Sequence, residues 1–423
     1  MSLRILLTCW GSYGDLFPYL AVGARLKALG HEPTIATCGF YRDVVERAGL
    51  RFHAVRPDVD PTDTALIERV MDPSRGTEVI VRELLVPALR DSFADLGVAA
   101  RTADLIVGHP VAFAAPLVAE SLGVRWLSVV LAPTSLFSVH DFPILSPYTT
   151  AVRVARVAPL FAKGVLKLCH MATRAWTSPI RTFRAELGLP DRGDPLFEGQ
   201  FSPFGTLALF SRVMAVPQPD WPLRTTLTGF AFHDGDGQLP ANVVDFLASG
   251  DAPIVFTLGS SAVGAPGRFY EESLDAVTRL RRRAVLLVGR RSTVGLQPTS
   301  SNVCMAEYAP HAPLFARAAA IVHHGGVGTT AQALRAGCPM LVVPHAHDQP
   351  DNAFRVSRLG VAATLPASRY TGRQAAASIA ALLSDPRVLS RSAGIARELA
   401  AEDGPGAACQ AIMAAAEQPE GPT

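Results

Sequence analysis

The chain has few cysteines for its length of 423 residues, and none of them are closely spaced. No Cys-x-x-Cys pair occurs, which argues against a zinc ribbon and against a disulfide framework. A reduced, cytoplasmic compartment is therefore expected. The six positions are Cys9, Cys38, Cys169, Cys304, Cys338 and Cys409.

Long apolar runs and an excess of one charge are also missing. The longest apolar stretch, residues 105–119, is interrupted by His109, Pro110 and Pro116, so we expect no membrane-spanning segment. No basic leader with a small-residue cleavage site precedes the first apolar run, so no export is expected. The net charge of +2 provides no field for nucleic acid. We expect a monomer or homodimer with at most peripheral membrane contact.

Short apolar runs instead alternate with amphipathic segments along most of the chain. Residues 5–8, 105–108, 254–258 and 320–323 are typical strands, each followed by a helical pattern. Such alternation predicts parallel strands with crossover helices. With 49% hydrophobic residues over this length, the sequence predicts an α/β protein with two doubly wound, Rossmann-like domains facing a cleft.

Proline and glycine are concentrated between residues 216 and 253, which predicts an interdomain linker. The expected division is an N-terminal acceptor-binding domain over 1–215, a linker over 216–252 and a donor-binding domain over 253–404. A C-terminal helix and tail over 405–423 is expected to pack back on the N-terminal domain.

Two glycine-rich turns, each between a strand and a helix, are the most informative features. The first runs from Gly11 to Asp15 and the second from His323 to Thr330. Backbone N–H groups and the helix dipole at such a turn favour an anion. The second turn lacks a carboxylate and suits a phosphate, whereas Asp15 in the first would repel a phosphate and suits a proton acceptor.

Five motifs in order resemble the inverting, metal-independent, two-domain nucleotide-sugar glycosyltransferases of the GT-B fold, family 1. The resemblance is nearest to the branch with the B subunit of rhamnosyltransferases, sterol glucosyltransferases and glycopeptide glycosyltransferases. Asp220-Trp221-Pro222, with Thr228-Gly229-Phe230, supports this branch. The five motifs span Gly11–Asp15, Phe256–Ser261, Tyr308–His311, His323–Gly326 and Pro344–Ala353.

The resemblance implies that His323 binds the donor diphosphate, with further contacts from Gly325, Gly326, Gly328 and Thr329. Ser260 and Ser261 would reach the same phosphates. The His323 turn has no carboxylate pair that would hold a metal for the diphosphate, so no metal or other cofactor is expected beside the nucleotide-sugar co-substrate. Glycines that only permit close packing, structural histidines and serines that cap a helix remain alternatives.

The remaining donor contacts are also implied by the family. Tyr308 would stack under the base, unless it is a core tyrosine. Asp348 and Gln349 would bind the sugar hydroxyls, although Asp348 could cap the next helix. Many relatives hold the ribose diol with a glutamate where this chain has Ala331, so a UDP-sugar and a dTDP-sugar both remain open.

On the acceptor side, Asp15 is implied to be the general base. We expect burial to raise its pKa, since an ordinary aspartate, with a pKa of about 3.9, is a weak base for an alcohol. A helix N-cap is the alternative role. Acceptor contacts are predicted to come from the loop over residues 131–145 and from the helices over 149–187. We interpret the mixed basic and apolar face of these helices as a solvated helix pair, in preference to a membrane surface. The candidate acceptor residues are Trp10, His109, Phe137, His140 and Phe142.

The sequence thus predicts transfer of a hexose or deoxyhexose from a UDP- or dTDP-sugar to a hydroxyl of an apolar small molecule, with inversion. A natural product, a sterol-like compound or a lipid would fit as acceptor. A sugar-nucleotide epimerase of the same fold and a catalytically silent donor-binding partner remain alternatives. A nicotinamide-dependent dehydrogenase is disfavoured because neither turn has GxGxxG followed by an acidic ribose ligand.

Overall fold

The computed structural model describes residues 2–60, 63–145, 152, 154–156, 158–235, 237–289 and 300–418. The chain folds into two compact units. Unit 1 contains residues 1–60, 75–233 and 402–423, and unit 2 contains residues 61–74 and 234–401. Each unit is an α/β domain built on one parallel sheet.

Unit 1 has seven parallel strands in the order β3-β2-β1-β4-β5-β6-β7. The strands are β1 (Arg4–Thr8), β2 (Glu32–Thr37), β3 (Arg51–Ala54), β4 (Leu105–Gly108), β5 (Arg125–Val130), β6 (Thr206–Ala208) and β7 (Thr225–Leu227). Its helices are α1 (Tyr13–Ala28), α2 (Arg42–Arg47), α4 (Gly76–Glu78) with a π-helical continuation (Val79–Leu85), α5 (Leu89–Ala100), α6 (Ala114–Leu122), α7 (Pro159–Glu186) and α16 (Gly404–Glu417). Short 3-10 turns span Gly39–Tyr41, Pro133–Leu136 and Glu198–Gln200.

Unit 2 has six parallel strands in the order β10-β9-β8-β11-β12-β13. The strands are β8 (Ile254–Thr257), β9 (Ala284–Leu287), β10 (Val303–Ala306), β11 (Ala320–His323), β12 (Met340–Val342) and β13 (Ala362–Thr364). Its helices are α3 (Thr64–Val70), α8 (Ala241–Ala248), α9 (Gly259–Ala262), α10 (Phe269–Leu280), α11 (His311–Phe315), α12 (Val327–Arg335), α13 (Gln349–Arg358), α14 (Gly372–Ser384) and α15 (Pro386–Ala400). A 3-10 turn spans Ala367–Arg369.

Both sheets reverse their strand order at one point, between β1 and β4 in unit 1 and between β8 and β11 in unit 2. Helices leave the sheet in opposite directions at such a point, so a crevice opens at the carboxyl ends of the two strands. Asp15 follows β1 and the His323 turn begins at the end of β11. Each glycine-rich turn therefore lies at the switch point of its own sheet.

Strands buried on both faces explain why the sequence shows continuous apolar runs. Every residue of β4, β8, β9 and β11 is buried. Parallel sheets covered by helices on both sides require this pattern. The rigid sheets fix the positions of the loops at their carboxyl ends.

The chain passes between the two units at residues 60/61, 74/75, 233/234 and 401/402. The boundary at 233/234 falls within the 216–252 region, which also contains β7 and α8. Residues 402–423 belong to unit 1, where the thiol of Cys409 on α16 lies 3.8 Å from the carbonyl of Val22 on α1.

Residues 61–74 belong to unit 2, although they lie between β3 and α4 in the sequence. Ile67 and Met71 pack against the core of unit 2, because their apolar side chains find a partner there. No periodic signal in so short a segment indicates which sheet it will cover.

The 28-residue helix α7 occupies most of the region predicted as a helix pair. Thr149 and its neighbours 146–151 lie outside the described residues. Within the described part of the chain, no helix combines the length and the hydropathy that crossing a bilayer requires.

Candidate functional site

His323 ends β11 and is fully buried at the switch point of unit 2. Its Nδ1 accepts a hydrogen bond of 3.1 Å from the N–H of Gly325, and burial, together with the nearby His311, lowers its pKa to about 3. The neutral ring must therefore carry its proton on Nε2, since Nδ1 is an acceptor. Nε2 is buried and has no hydrogen-bond partner among the residues that the structure describes. His323 thus offers a single neutral N–H donor to a ligand.

His324 is held between two glycines. A Cβ at Gly259 or at Gly326 would come within 2.4 Å of the His324 ring, so both positions need glycine. The Nε2 of His324 lies 3.4 Å from the Oγ of Ser261, and burial, with neighbouring imidazoles, lowers its pKa well below the ordinary value. Gly326 therefore permits close packing, which is the alternative role that the sequence left open. It is also the N-cap of α12.

The N-terminus of α12 adds further donors at the same switch point. Its N-cap is Gly326, with no side-chain cap, and the first N–H groups of a helix have no acceptor within it. Gly328 and Thr329 lie in this first turn. Such a helix end stabilises a phosphate through its N–H groups and its dipole.

Ser260 and Ser261 lie inside the short helix α9, which follows β8. The N-cap of α9 is Leu258, so neither serine caps the helix, contrary to the alternative that the sequence left open. Because β8 pairs with β11, with Thr257 opposite His323, the serine turn and the His323 turn leave neighbouring strands at the same edge.

Asp348 and Gln349 follow β12, the next strand of the sheet. Asp348 is the N-cap of α13 but makes no side-chain cap; its Oδ2 instead accepts 2.7 Å from the amide of Asn352. That amide also donates to the carbonyl of Gly325 at 3.0 Å, so Asn352 ties the two turns together. The sequence motif contains Asn352, but nothing in it indicated this role.

Gln349 is 2% exposed, and its Oε1 accepts from the N–H groups of His345 and Ala346 at 2.9 and 3.1 Å. This oxygen is committed to closing the turn before α13. The contacts of Gln349 and Asp348 with sugar hydroxyls remain predictions.

Tyr308 lies just after β10, two strands from β8. Its side chain is 57% exposed, so it is not the core tyrosine that the sequence left as an alternative. An exposed ring at the carboxyl edge of the sheet can stack on a flat ligand. Ala331, by contrast, is buried on α12 and offers no polar group to a ribose.

Asp15 follows β1 in unit 1 as the third residue of α1. Ser12 is the N-cap, and the two residues form a capping box in which the Oδ2 of Asp15 accepts from the Ser12 N–H at 2.7 Å. Gly11 adopts a φ of +141°, and a Cβ there would lie 2.3 Å from this Oδ2. Asp15 is therefore not the N-cap, but it does help to cap the helix.

The other oxygen, Oδ1, lies 3.5 Å from the Nε2 of His109, which follows β4. Burial alone would raise the pKa of Asp15, but the contact with His109, its charge and two hydrogen bonds from Ser12 outweigh burial and lower the pKa. The expectation of a raised pKa was wrong, because sequence spacing did not reveal the imidazole across the switch point. Asp15 is an ionised carboxylate whose side chain is about one third exposed, at 32%.

Trp10 lines an apolar cavity at the ends of β1 and β4, and His109 lines a second cavity. The structure does not place Phe137, His140 or Phe142 in either cavity lining. Their predicted contact with an acceptor remains a prediction.

The loop after β5 positions these three residues. Phe142 is fully buried, His140 is exposed, and Phe137 packs against Phe197 at a ring distance of 4.8 Å. The loop is fixed by Asp220, whose carboxylate accepts from Ser138 and from the Val139 N–H at 2.6 and 2.7 Å. Asp220 belongs to the Asp-Trp-Pro motif, which had given no hint of this contact.

Among the residues that the structure describes, no group of three or more His, Cys, Asp or Glu side chains has an arrangement that could hold a metal ion. The chemistry available from the described side chains is an uncharged anion site in unit 2 and an ionised carboxylate paired with an imidazole in unit 1.

Two family models match the chain, one in each half. Residues 5–139 match the glycosyltransferase family 28 N-terminal domain, and residues 271–415 match the C-terminal domain of erythromycin biosynthesis protein CIII-like proteins. The solved structures of the glycosyltransferase of kitacinnamycin and of the glycosyltransferase VinC share the fold. The kitacinnamycin enzyme has a TM-score of 0.74 at 24% sequence identity, and the match covers 98% of this chain and 99% of that one. VinC has a TM-score of 0.68 at 20% identity, and the match covers 98% of this chain and 100% of that one.

Curated relatives match over nearly the whole chain. The O-mycaminosyltylonolide 6-deoxyallosyltransferase of Streptomyces fradiae is 34% identical over 97% of both chains. A sterol 3-beta-glucosyltransferase of Arabidopsis thaliana is 28% identical, and this chain, 97% of which is covered, spans 65% of that enzyme. The S. fradiae relative, at this identity over nearly its full length, and the two matching domain models establish the family. The chain is a nucleotide-sugar-dependent glycosyltransferase and belongs to family 1 of the GT-B enzymes.

Proposed function

We propose that this enzyme transfers a deoxyhexose or hexose from a dTDP-sugar to a hydroxyl group of an apolar natural product, with inversion at the anomeric carbon. The observation that carries the proposal is the Nε2–H of His323, a neutral donor that is buried and unpartnered at the switch point of unit 2. A diphosphate leaving group gains negative charge as its bond breaks. Fixed N–H donors stabilise that charge without having to reorganise.

The donor base is inferred from the position of Ala331. A deoxyribose has no 2′-hydroxyl, so a site without a diol ligand loses little by binding it. The buried alanine fits this donor. VinC was solved with dTDP and the S. fradiae relative is named a 6-deoxyallosyltransferase, which supports a dTDP-deoxysugar for this chain as well.

The acceptor hydroxyl must lose a proton during transfer, and we assign Asp15 as the base that takes it. The acceptor hydroxyl loses its proton to the Oδ1 of Asp15, its oxygen forms the new bond to the anomeric carbon, and the bond from that carbon to the diphosphate breaks. Attack opposite the leaving group inverts the configuration. Because the pKa of Asp15 is lowered, we expect the proton to move late, once the attacking oxygen has lost most of its electron density.

The acceptor class is inferred from the apolar side chains that line unit 1 beside Trp10. The cavity beside Trp10 is lined mostly by apolar side chains, among them Leu85, Leu89 and Phe113. Apolar walls with a few polar groups are typical of sites for small hydrophobic molecules. The macrolide and sterol glycosyltransferases among the relatives support an apolar polyketide or polycyclic acceptor.

A panel of sugar nucleotides tests the proposal. Purified enzyme is incubated with dTDP- and UDP-sugars, with and without macrolide aglycones or sterols, and products are identified by mass spectrometry and by the anomeric proton coupling. We expect transfer from a dTDP-sugar, with inverted configuration. Transfer from UDP-sugars alone would refute the donor assignment, and retention would refute the role of Asp15. A changed sugar nucleotide formed without an acceptor would identify an epimerase instead.

A further inference from the structure

The N-terminal half of α7 carries a row of exposed apolar side chains. Leu160 is 85% exposed, and the others are exposed by between 46% and 65%. Residues spaced by three, four or eight positions lie on the same side of a helix, so they form one continuous band. We call this band the α7 stripe; its members are Leu160, Phe161, Leu168 and Met171.

A row of positive charges runs along one border of the α7 stripe. Lys163, Lys167 and Arg174 are all exposed and are spaced by four and seven residues, so they too share one side of the helix. No aspartate or glutamate occurs between Pro159 and Ala185. We call these three residues the basic row.

The packing of α7 shows that the stripe is not needed to hold the helix in unit 1. Ile180 and Phe183, near the C-terminal end, belong to a hydrophobic cluster with Leu85 and Leu89. In the N-terminal half, from residue 159 to 174, only Ala162 is fully buried. The fold thus anchors one end of the helix and leaves the other end's apolar band facing solvent.

We propose that the α7 stripe and the basic row form a docking surface for an anionic lipid bilayer. A helix with an apolar band beside a row of basic residues lies in the plane of a membrane interface, where the apolar side chains enter the acyl boundary and the cations contact anionic headgroups. Positions 160–174 span about 21 Å at 1.5 Å per residue, which is long enough for several headgroups.

The charge pattern favours lipid over a second copy of this chain. A twofold contact buries the same patch on both copies, so it would bring two basic rows into one interface. Like charges there oppose association, whereas an anionic bilayer neutralises them. The finding that no described helix could cross a membrane does not oppose this inference, because an interfacial helix lies on the bilayer. The inference is independent of the donor and acceptor proposed above.

Vesicle flotation with the full-length protein tests the proposal. The probes are vesicles of phosphatidylcholine alone and of phosphatidylcholine with phosphatidylglycerol, at about 50 mM and 1 M salt. We expect binding to the anionic vesicles at low salt and release at 1 M salt, where screening extends to about 3 Å. Binding to neither vesicle, or equally to both, would overturn the proposal.

Matched variants locate the contact on α7. Combined K163E, K167E and R174E should lower the partition coefficient by more than about a hundredfold, since each cation near an anionic surface contributes about fivefold and each glutamate adds a repelled charge. Leu168→Glu with Met171→Glu should lower it by about tenfold or more. The controls are the triple reversal R47E, R101E and R317E, all exposed, and Leu223→Glu at a position that is 88% exposed.

Circular dichroism and thermal unfolding establish that every variant is folded. If the controls weaken binding as much as the α7 variants, the surface is non-specific and the proposal fails. If the α7 variants dissociate a dimer in light scattering while no vesicle binding occurs, the stripe is an interface between copies, and the lipid proposal is again refuted.

Discussion

Replacing His323 by asparagine removes one hydrogen-bond donor while sparing the turn. The Oδ1 of asparagine can take the place of Nδ1 and accept from the N–H of Gly325, an interaction of 3.1 Å in the structure. The side chain is too short to place an N–H where Nε2 lies. The substitution therefore isolates the contribution of the Nε2–H.

The expected loss can be worked out from the type of interaction. A hydrogen bond to a charged group contributes about 1.5–3 kcal/mol, which is roughly 10- to 150-fold in the affinity for dTDP. Because negative charge grows on the leaving diphosphate, the loss in kcat should be larger, about 10²–10³-fold, as for a single donor in an oxyanion site. Thymidine, which lacks the diphosphate, should bind the variant and the native protein equally.

The assay is isothermal titration calorimetry with dTDP and thymidine, combined with steady-state transfer kinetics. His323→Gln serves as the matched control, because its amide reaches the Nε2 position and should recover part of the affinity. The reasoning fails if His323→Asn binds dTDP and turns over within threefold of the native enzyme, or if affinity for thymidine falls in parallel.

Three further outcomes follow from the pKa values and from the glycine turn. His109→Gln removes an interaction that lowers the pKa of Asp15, so the acidic limb of the kcat/KM profile should move to higher pH; an unmoved limb would contradict the pairing. Gly11→Ala places a Cβ 2.3 Å from the Asp15 carboxylate in a strained conformation, and should cost about 1–3 kcal/mol of unfolding free energy and lower transfer without weakening dTDP binding; unchanged transfer and melting temperature would count against it. The pKa of His323 is about 3 in the folded state and 6.5 in the unfolded state, so the unfolded chain binds more protons between these limits. The free energy of unfolding should therefore fall by about 2 kcal/mol from pH 7 to pH 5, as measured by chemical denaturation. The His323→Asn variant should lack the contribution of His323 to this fall.

The parts of the fold with strong local signals could be predicted from the sequence. Continuous apolar runs before glycine-rich turns indicated parallel strands at residues 5–8 and 320–323, and both turns lie at switch points. Short strands such as β6 and β13, with three residues each, carry too little pattern to be recognised.

Contacts between distant segments could not be predicted. The lowered pKa of Asp15 depends on His109, which lies 94 residues away and reaches Asp15 only because β1 and β4 are neighbours. The commitment of Gln349 to the turn before α13 and the bridge made by Asn352 likewise depend on loop geometry. The assignment of residues 61–74 to unit 2 follows from apolar packing that no local pattern encodes.

The division of labour between the two units is tested most directly by Asp15→Asn, with dTDP-sugar affinity and transfer rate measured on the same preparation. Asparagine preserves the size of the side chain but cannot accept a proton. The account predicts an unchanged dissociation constant for the donor and a transfer rate lower by about 10²–10⁴-fold, the usual contribution of a general base. A variant that turns over at the native rate, or one that loses donor binding and transfer together, would contradict it.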